Sequence, residues 1–441
     1  MKSSFVTFEN LNSKFLQSSR DIIIYLPPSY ESSLNKQYPV LYVHDGQHAF
    51  QGDLQGGSWD LHIAADHLIS KGMMQEIIIV AISSVSHLRV SEYFHYNQDV
   101  EERYHYECAG ELYERFIVEE LKPLIDIRFR TLSDQQNTAM LGSSAGGLVS
   151  YHIGFRRPEV FGKIGILSPF FVQTELVSLE SGAQDMIETK NYTEFDEKPT
   201  PPIKVWMDMG GAEGTLMVKH VRSVADQFID IGFTPGSDFV FLLDPEASHT
   251  QEEWAKRIYS VFLYFFGDIG TPQCIDIVGR TTIGLNERYL RLYPTVTYDS
   301  GFKMSLLHAD YSIDQPDIVS ILSDGTLTPN KEGLTNLSVS YENLKASTNI
   351  EIVQHISEAV ELVITVEVPD STPTDTDIHA GIKLQKVRDG LYEGRFILPR
   401  DLTFDIKVSK KFGSHEKRKE SRRFSTTNNQ HLKFIVEEWE E

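Results

Sequence analysis

An α/β domain followed by two small all-β domains is the architecture the sequence predicts, and three observations point to it. The first 268 residues alternate short apolar runs with amphipathic stretches. Beyond about residue 268 apolar and polar residues alternate between turn signals, with no long helical pattern. A length of 441 residues exceeds what one hydrophobic core ordinarily serves, so two or three domains are expected.

In chain order, the apolar runs 21-DIIIYLPP, 39-PVLYVHDG, 76-EIIIVAIS, 138-TAMLGSS, 162-GKIGILSP, 203-IKVWMDMG and 238-DFVFLLD read as strands. Between them lie stretches such as 111-ELYERFIVEELKPLID, where Leu112, Phe116, Ile117, Leu121, Leu124 and Ile125 recur at helical spacing. Near-continuous apolar strands separated by helices predict a mostly parallel sheet covered on both faces. The later segment 317-DIVSILSDGTLTPNKEGLTNLSVSY carries Asp-Gly and Pro-Asn turns. A second block, with 361-ELVITVEVP, 391-LYEGRFILP and 402-LTFDIKVS, follows from about residue 356. The predicted division is therefore 1–268, 269–355 and 356–441, the last two as β-sandwiches.

Composition narrows the function. With 41% apolar and 24% charged residues the chain is that of a folded protein. A formal charge of -22 would repel phosphate backbones and anionic lipid, so neither a nucleic acid nor a membrane surface is an expected partner. No segment has the pattern of a signal peptide or a membrane span, and a cytoplasmic address is expected. Cys108 and Cys274 fall in different predicted domains and read as two buried thiols rather than a disulfide. Oligomeric state is not legible.

The stretch 138-TAMLGSSAGGLVSYH contains G-x-S-x-G, a pattern that arises by chance in about one chain in seven of this length, so context must decide its meaning. A buried strand ends at Leu141, small residues make a turn, and a helix begins near Gly147, which is the setting of a nucleophile elbow with Ser144 as nucleophile. A hydroxyl needs a base and usually an acid, in the order Ser, acid, His for this arrangement. His249 lies in 244-DPEASHTQEEW, just beyond the last predicted strand, and is the expected base. Glu213, in the turn 210-GGAEG after the preceding strand, is the expected acid, with Asp208 inside that strand as its rival. Two backbone N–H groups should hold the oxyanion: that of Ala145, and that of Gln47 in 43-VHDGQHAF, where Gly46 permits the turn.

Other residues are candidates for substrate contact. Arg89 and Tyr93 in 89-RVSEYFHY, and Phe170 at the end of 162-GKIGILSPFF, fall in loops at the expected rim. The polar insert from Val172 to Pro202 could cover the site as a lid or be a surface excursion. His44 and His48 lack the further ligands a zinc site requires, and no metal or organic cofactor is expected.

Across residues 20–267 the chain resembles the esterase group of α/β hydrolases that includes esterase D, feruloyl esterases and siderophore trilactone hydrolases. The resemblance rests on 25-YLPPSYESSLNKQYPVLYVHDGQ, the Arg89 to Tyr93 segment, 119-EELKPLIDIRFR, 141-LGSSAGGLVSYH, 155-FRRPEVFGKIGILSPFF, 210-GGAEG and 248-SHTQEEW. It implies an α/β hydrolase fold, with Ser144, His249 and Glu213 as nucleophile, base and acid of a serine ester hydrolase. Residues 270–353 resemble a bacterial Ig-like domain. Residues 360–436 resemble a starch-binding-type sandwich, with His415 where that family would carry a tryptophan. The expected substrate is a small or glycan-linked acyl ester or a siderophore-type lactone. An acyltransferase on the same fold, or a non-catalytic carbohydrate-binding scaffold, are the other readings.

Overall fold

The computed structural model describes residues 2–51, 57–104, 107–178, 184–191, 193, 201–213, 215–288, 290–410, 414–418 and 420–440. The N-terminal part is organised on one eight-stranded sheet. Its elements, in chain order, are β1 (Ser4–Asn12), β2 (Ser19–Leu26), β3 (Val40–His44), α1 (Leu61–Ser70), β4 (Ile78–Ile82), α2 (Arg89–Tyr93), α3 (Gln98–Tyr104), α4 (Gly110–Arg115), α5 (Lys122–Arg128), β5 (Thr138–Ser143), α6 (Ala145–Arg156), β6 (Lys163–Leu167), β7 (Val172–Ser178), β8 (Gln184–Asn191), β9 (Lys204–Gly210), α7 (Thr215–Asp230), β10 (Phe239–Asp244) and α8 (Gln251–Phe266). All seven predicted strands are present.

The spatial order is β1-β2-β4-β3-β5-β6-β9-β10. β1 and β2 join antiparallel, and from β4 to β10 every neighbour runs parallel. Alternation of side chains sorts the apolar runs between two cores. Val40 and Tyr42 of β3, with Ile78, Val80 and Ile82 of β4, join the layer that includes Phe116, Leu148, Val149 and Phe228. Leu41, Val43, Ile79 and Ala81 face the opposite layer, with Leu61 and Ala65 of α1 and Ile258, Val261 and Phe262 of α8. The apolar content of these strands is thus explained by burial on both faces.

Chain order reverses direction across β3: β4 lies to one side of it and β5 to the other. In parallel sheets the crevice at such a reversal, outside the carboxyl ends of the strands, is where ligands sit. The turns after β3 and β5 therefore face the same crevice.

From Pro272 onward the described residues form mostly antiparallel sheets with no helix; Thr282–Gly284 runs parallel to Leu344–Val353, and Ala359–Glu367 parallel to Gln430–Ile435. Ile275, Val296, Tyr298, Phe302, Met304 and Leu306 join the core on the α8 side of the large sheet. Short strand Lys303–Ser305 lies beside the edge strand β10, and Ser305 Oγ accepts the Leu243 N–H at 3.0 Å. Asp226 on α7 pairs with Arg222 and with Arg291 of this β region. A separate core, including Leu362, Ile364, Val366, Leu398, Val408 and Phe434, serves the C-terminal strands. Both cysteines are free, but neither is fully buried: Cys108 is half-buried and Cys274 is exposed at an outward position of strand Pro272–Val278, which corrects the expectation of two buried thiols.

Candidate active site

β5 enters the turn fully buried and α6 leaves it at Ala145, with Ser144 between them as the helix N-cap. Ser144 has φ 56° and ψ -124°, a region that L-residues adopt only when their surroundings impose it. Its N–H donates to Leu167 O at 2.9 Å, and its carbonyl accepts from Leu148 N–H at 3.1 Å. An N-cap serine normally spends its hydroxyl on the first-turn amides; here that bond is not made, so the hydroxyl is not committed to capping the helix. Strand and helix come so close that a Cβ on Gly142 would lie 2.2 Å from the Gly146 carbonyl oxygen. Only glycine fits at position 142.

Two neighbouring loops bring the remaining groups to this end of the sheet. β9 runs into a single 3-10 turn, Gly211–Glu213, and β10 runs into the loop that carries His249 ahead of α8. His249 Nδ1 and Glu213 Oε2 are 2.6 Å apart. The other carboxylate oxygen of Glu213 accepts from Ser168 Oγ at 2.6 Å and from the Gly210 N–H at 2.9 Å. Burial alone would raise the Glu213 carboxyl. The hydrogen bonds from His249 and Ser168 and the charges of His249 and Arg257 outweigh it and hold the group below the ordinary glutamate range.

Asp208 is placed differently. It is fully buried in β9, where it accepts from Trp206 Nε1 at 2.8 Å and lies 3.1 Å from Arg257 Nη2. Burial raises its carboxyl, and Arg257 offsets only part of that. Of the two acids weighed from sequence, Glu213 is the one hydrogen-bonded to His249. No hydrogen bond among the described residues joins Ser144 Oγ to His249, whose side chain is 45% exposed on this rim. Such contacts commonly close only when substrate is bound.

The turn after β3 lies across the crevice. Asp45 adopts a left-handed conformation (φ 54°), and Gly46 passes so near β4 that a Cβ would lie 2.5 Å from the Ala81 carbonyl carbon. Gln47 is fixed by its side chain, which exchanges two hydrogen bonds with Ser84 at 2.9 and 3.0 Å. Among the described hydrogen bonds, the N–H groups of Gln47 and Ala145 donate to no protein acceptor.

The predicted substrate contacts are distributed unevenly. Arg89 reaches Asp45 with two bonds of 2.7 and 2.8 Å and lies over the Tyr93 ring. Tyr93 is fully buried, and its hydroxyl accepts from the Asp45 N–H at 3.1 Å. Both therefore hold the turn after β3, where the sequence suggested they would meet substrate. From below, the buried Arg20–Glu92 pair anchors α2. Phe170 is half-buried at the rim, 5.9 Å from Phe94. His44 is buried with Nδ1 2.9 Å from Tyr113 Oη. Among the described residues no three His, Cys, Asp or Glu side chains are grouped as metal ligands. The insert after β6 contains the antiparallel pair β7–β8, whose second strand lies beside strand Leu391–Pro399; residues 179–183, 192 and 194–200 of the insert fall outside the described residues.

Sequence reasoning missed three supports. Ser168 follows β6 with φ 41°, and its hydroxyl accepts from Trp254 Nε1 at 2.9 Å and Arg257 Nη2 at 2.7 Å while donating to Glu213. Trp254 also packs its ring edge-on against His249 at 4.9 Å. The available signal was the spacing of His249, Trp254 and Arg257, which puts the last two on the buried face of α8 just after the histidine loop.

Comparison with known proteins places this geometry among relatives. Residues 13–258 match the model of the family described as "Putative esterase". The uncharacterized protein YbbA of Bacillus subtilis (strain 168) is 23% identical over 258 residues, 56% of this chain and 93% of that protein. The endo-1,4-beta-xylanase/feruloyl esterase of Xylanibacter ruminicola is 30% identical over 168 residues, 37% of this chain but only 21% of that much longer protein. Among solved structures, a ferulic acid esterase aligns with a TM-score of 0.45 at 20% identity, covering 60% of this chain and 97% of the other. The enterobactin esterase FES from Shigella flexneri aligns with a TM-score of 0.44 at 16% identity, covering 60% and 58%. No helix among the described residues is long and apolar enough to cross a membrane.

Proposed function

Because the chain belongs to the "Putative esterase" family and is an ester hydrolase, we propose that it works through a serine acyl-enzyme, with Ser144 as nucleophile, His249 as general base and Glu213 as the acid that orients it. The observation that carries this reading is the 2.6 Å bond between His249 Nδ1 and Glu213. It fixes the imidazole with Nε2 free for the serine, at the end of the sheet where Ser144 sits on its strained turn.

In this scheme His249 Nε2 takes the proton as Ser144 Oγ attacks the acyl carbonyl. The oxyanion of the tetrahedral intermediate is held by the Ala145 and Gln47 N–H groups, with the N-terminus of α6 adding a favourable field. Collapse expels the alcohol, which receives its proton from His249. Water then repeats the sequence on the acyl-enzyme and releases the acid. The carboxylate of Glu213, kept ionised by its surroundings, stabilises the imidazolium formed in both halves.

The substrate class proposed is a small or sugar-linked carboxylic ester. The test is a panel of acetyl, butyryl, aromatic-acyl and trilactone esters, together with a fluorophosphonate label, applied to wild type and Ser144→Ala. Hydrolysis of at least one ester and labelling should both disappear in the variant. Hydrolysis at the wild-type rate in Ser144→Ala would end the proposal.

A further inference from the structure

The C-terminal β region touches both loops that carry the proposed acid and base. Strand Thr403–Ile406 lies against the turn Gly211–Glu213. On the opposite loop, Arg423 Nη2 is 3.5 Å from Glu246 Oε2, three residues before His249. These two contacts come from one antiparallel ribbon, Thr403–Ile406 paired with Arg422–Ser425, in register Thr403↔Ser425, Phe404↔Phe424, Asp405↔Arg423 and Ile406↔Arg422. The ribbon thus spans the rim from the Glu213 turn to the His249 loop.

Its two faces differ in chemistry. Phe404 stacks on Phe424 with centroids 4.9 Å apart, and Phe404 and Ile406 pack against the C-terminal core. Alternation then puts Thr403, Asp405, Arg423 and Ser425 on the other face, which the Arg423–Glu246 contact turns toward the catalytic loops. Thr403 and Asp405 are half-buried, and their side chains make no hydrogen bond among the described residues. Donors and acceptors therefore stand side by side at the rim with bonding capacity to spare.

The mechanism decides which part of a substrate would meet them. His249 must pass its proton to the leaving oxygen, so the alcohol half of the ester lies on the His249 side of Ser144. Phe94 and Phe170 offer an apolar wall near the Arg89 segment, whereas the ribbon offers paired charge and hydroxyl groups. We propose that the Asp405–Arg423 ribbon is a subsite for the alcohol portion of the ester and selects a polyhydroxylated alcohol over a small apolar one. The inference rests on the Ser144–His249–Glu213 reading. It assigns to the C-terminal region a part in the reaction itself, as one wall of the catalytic cleft.

The test uses the full chain and the acid cleaved fastest in the panel above, esterified either to methanol or to xylose. Wild type should prefer the xylose ester by about tenfold in kcat/KM, the scale of one or two added hydrogen bonds. Asp405→Ala and Arg423→Ala should bring that ratio close to unity, the change lying in KM for the xylose ester. Asp405→Asn should retain part of the preference, because an amide still bonds hydroxyls. Removing the exposed Arg423–Glu246 contact is worth little to folding, so loss of structure is not the expected effect. The rate of fluorophosphonate labelling reports the nucleophile independently of any alcohol. Normal labelling with no xylose preference in wild type, or with a preference that survives both alanine variants, overturns the subsite alone. Labelling that persists in Ser144→Ala overturns the triad and the subsite together.

Discussion

Replacing Glu213 by glutamine keeps the size of the side chain and one acceptor oxygen but removes the charge that faces His249. The geometry sets the expected loss. With Nδ1 2.6 Å from Oε2, the charge centres of an imidazolium and this carboxylate are roughly 4 Å apart, and at an effective dielectric constant of ~20 their attraction is about 4 kcal/mol. That corresponds to about a thousandfold in rate. His249 is 45% exposed, so solvent reduces the figure until substrate displaces water. We therefore expect kcat/KM of Glu213→Gln to fall by about 10²- to 10³-fold, measured as steady-state hydrolysis of a nitrophenyl ester between pH 6 and 9. Asp208→Asn is the matched control. It should keep the rate within about tenfold yet lower the melting temperature, because Arg257 is buried and loses the carboxylate nearest to it, at a cost of about 3 kcal/mol. The reverse pattern, with Asp208→Asn losing three decades and Glu213→Gln less than one, would refute the assignment of the acid.

Two further outcomes are expected. Arg89→Met should lower kcat about 10- to 100-fold with little change in KM, because buried Asp45 loses the guanidinium that keeps its carboxyl below the ordinary range and the Gln47 turn loosens; a rise in KM alone would instead mean that Arg89 binds substrate directly. For stability, burial pushes the His44 imidazole down from about 6.5 to about 4. The unfolded chain therefore takes up a proton at pH values where the folded one does not, so this contribution is full above pH 6.5 and is lost as pH falls toward 4. The difference is about 3 kcal/mol, and denaturant titrations of wild type and His44→Phe should show their stability gap change by that amount between pH 7 and 4. A gap independent of pH would show that His44 is not held neutral.

The sheet was legible because a strand buried on both faces must be apolar throughout, as β3 and β4 are. β1 escaped notice for the opposite reason: it is an edge strand whose residues alternate between half-buried and exposed, so its run SFVTFENLN lacks a continuous apolar signal. Ser144, Glu213 and His249 could be singled out because each follows a recognisable strand in the order that the chemistry requires. Arg89 and Tyr93 were found as residues near the site, but their service to Asp45 depends on a contact across 44 and 48 positions, which no local pattern encodes. The same holds for Ser168, whose value lies in linking Glu213 to Trp254 and Arg257. The approach of the Thr403–Ile406 ribbon to the Glu213 turn joins residues almost two hundred positions apart and is a property of the assembled chain only.

The core shared between α8 and the strands that follow it bears on how the molecule can be divided. Phe302 packs edge-on against Trp206, and Ser305 takes up a backbone N–H of the sheet's last strand. A fragment stopped after residue 268 would strip that cover from Trp206 and leave that strand open to pairing with its own copies, inviting precipitation. A manageable minimal enzyme would have to carry the next eighty-odd residues with it, although none of them is proposed to touch an ester.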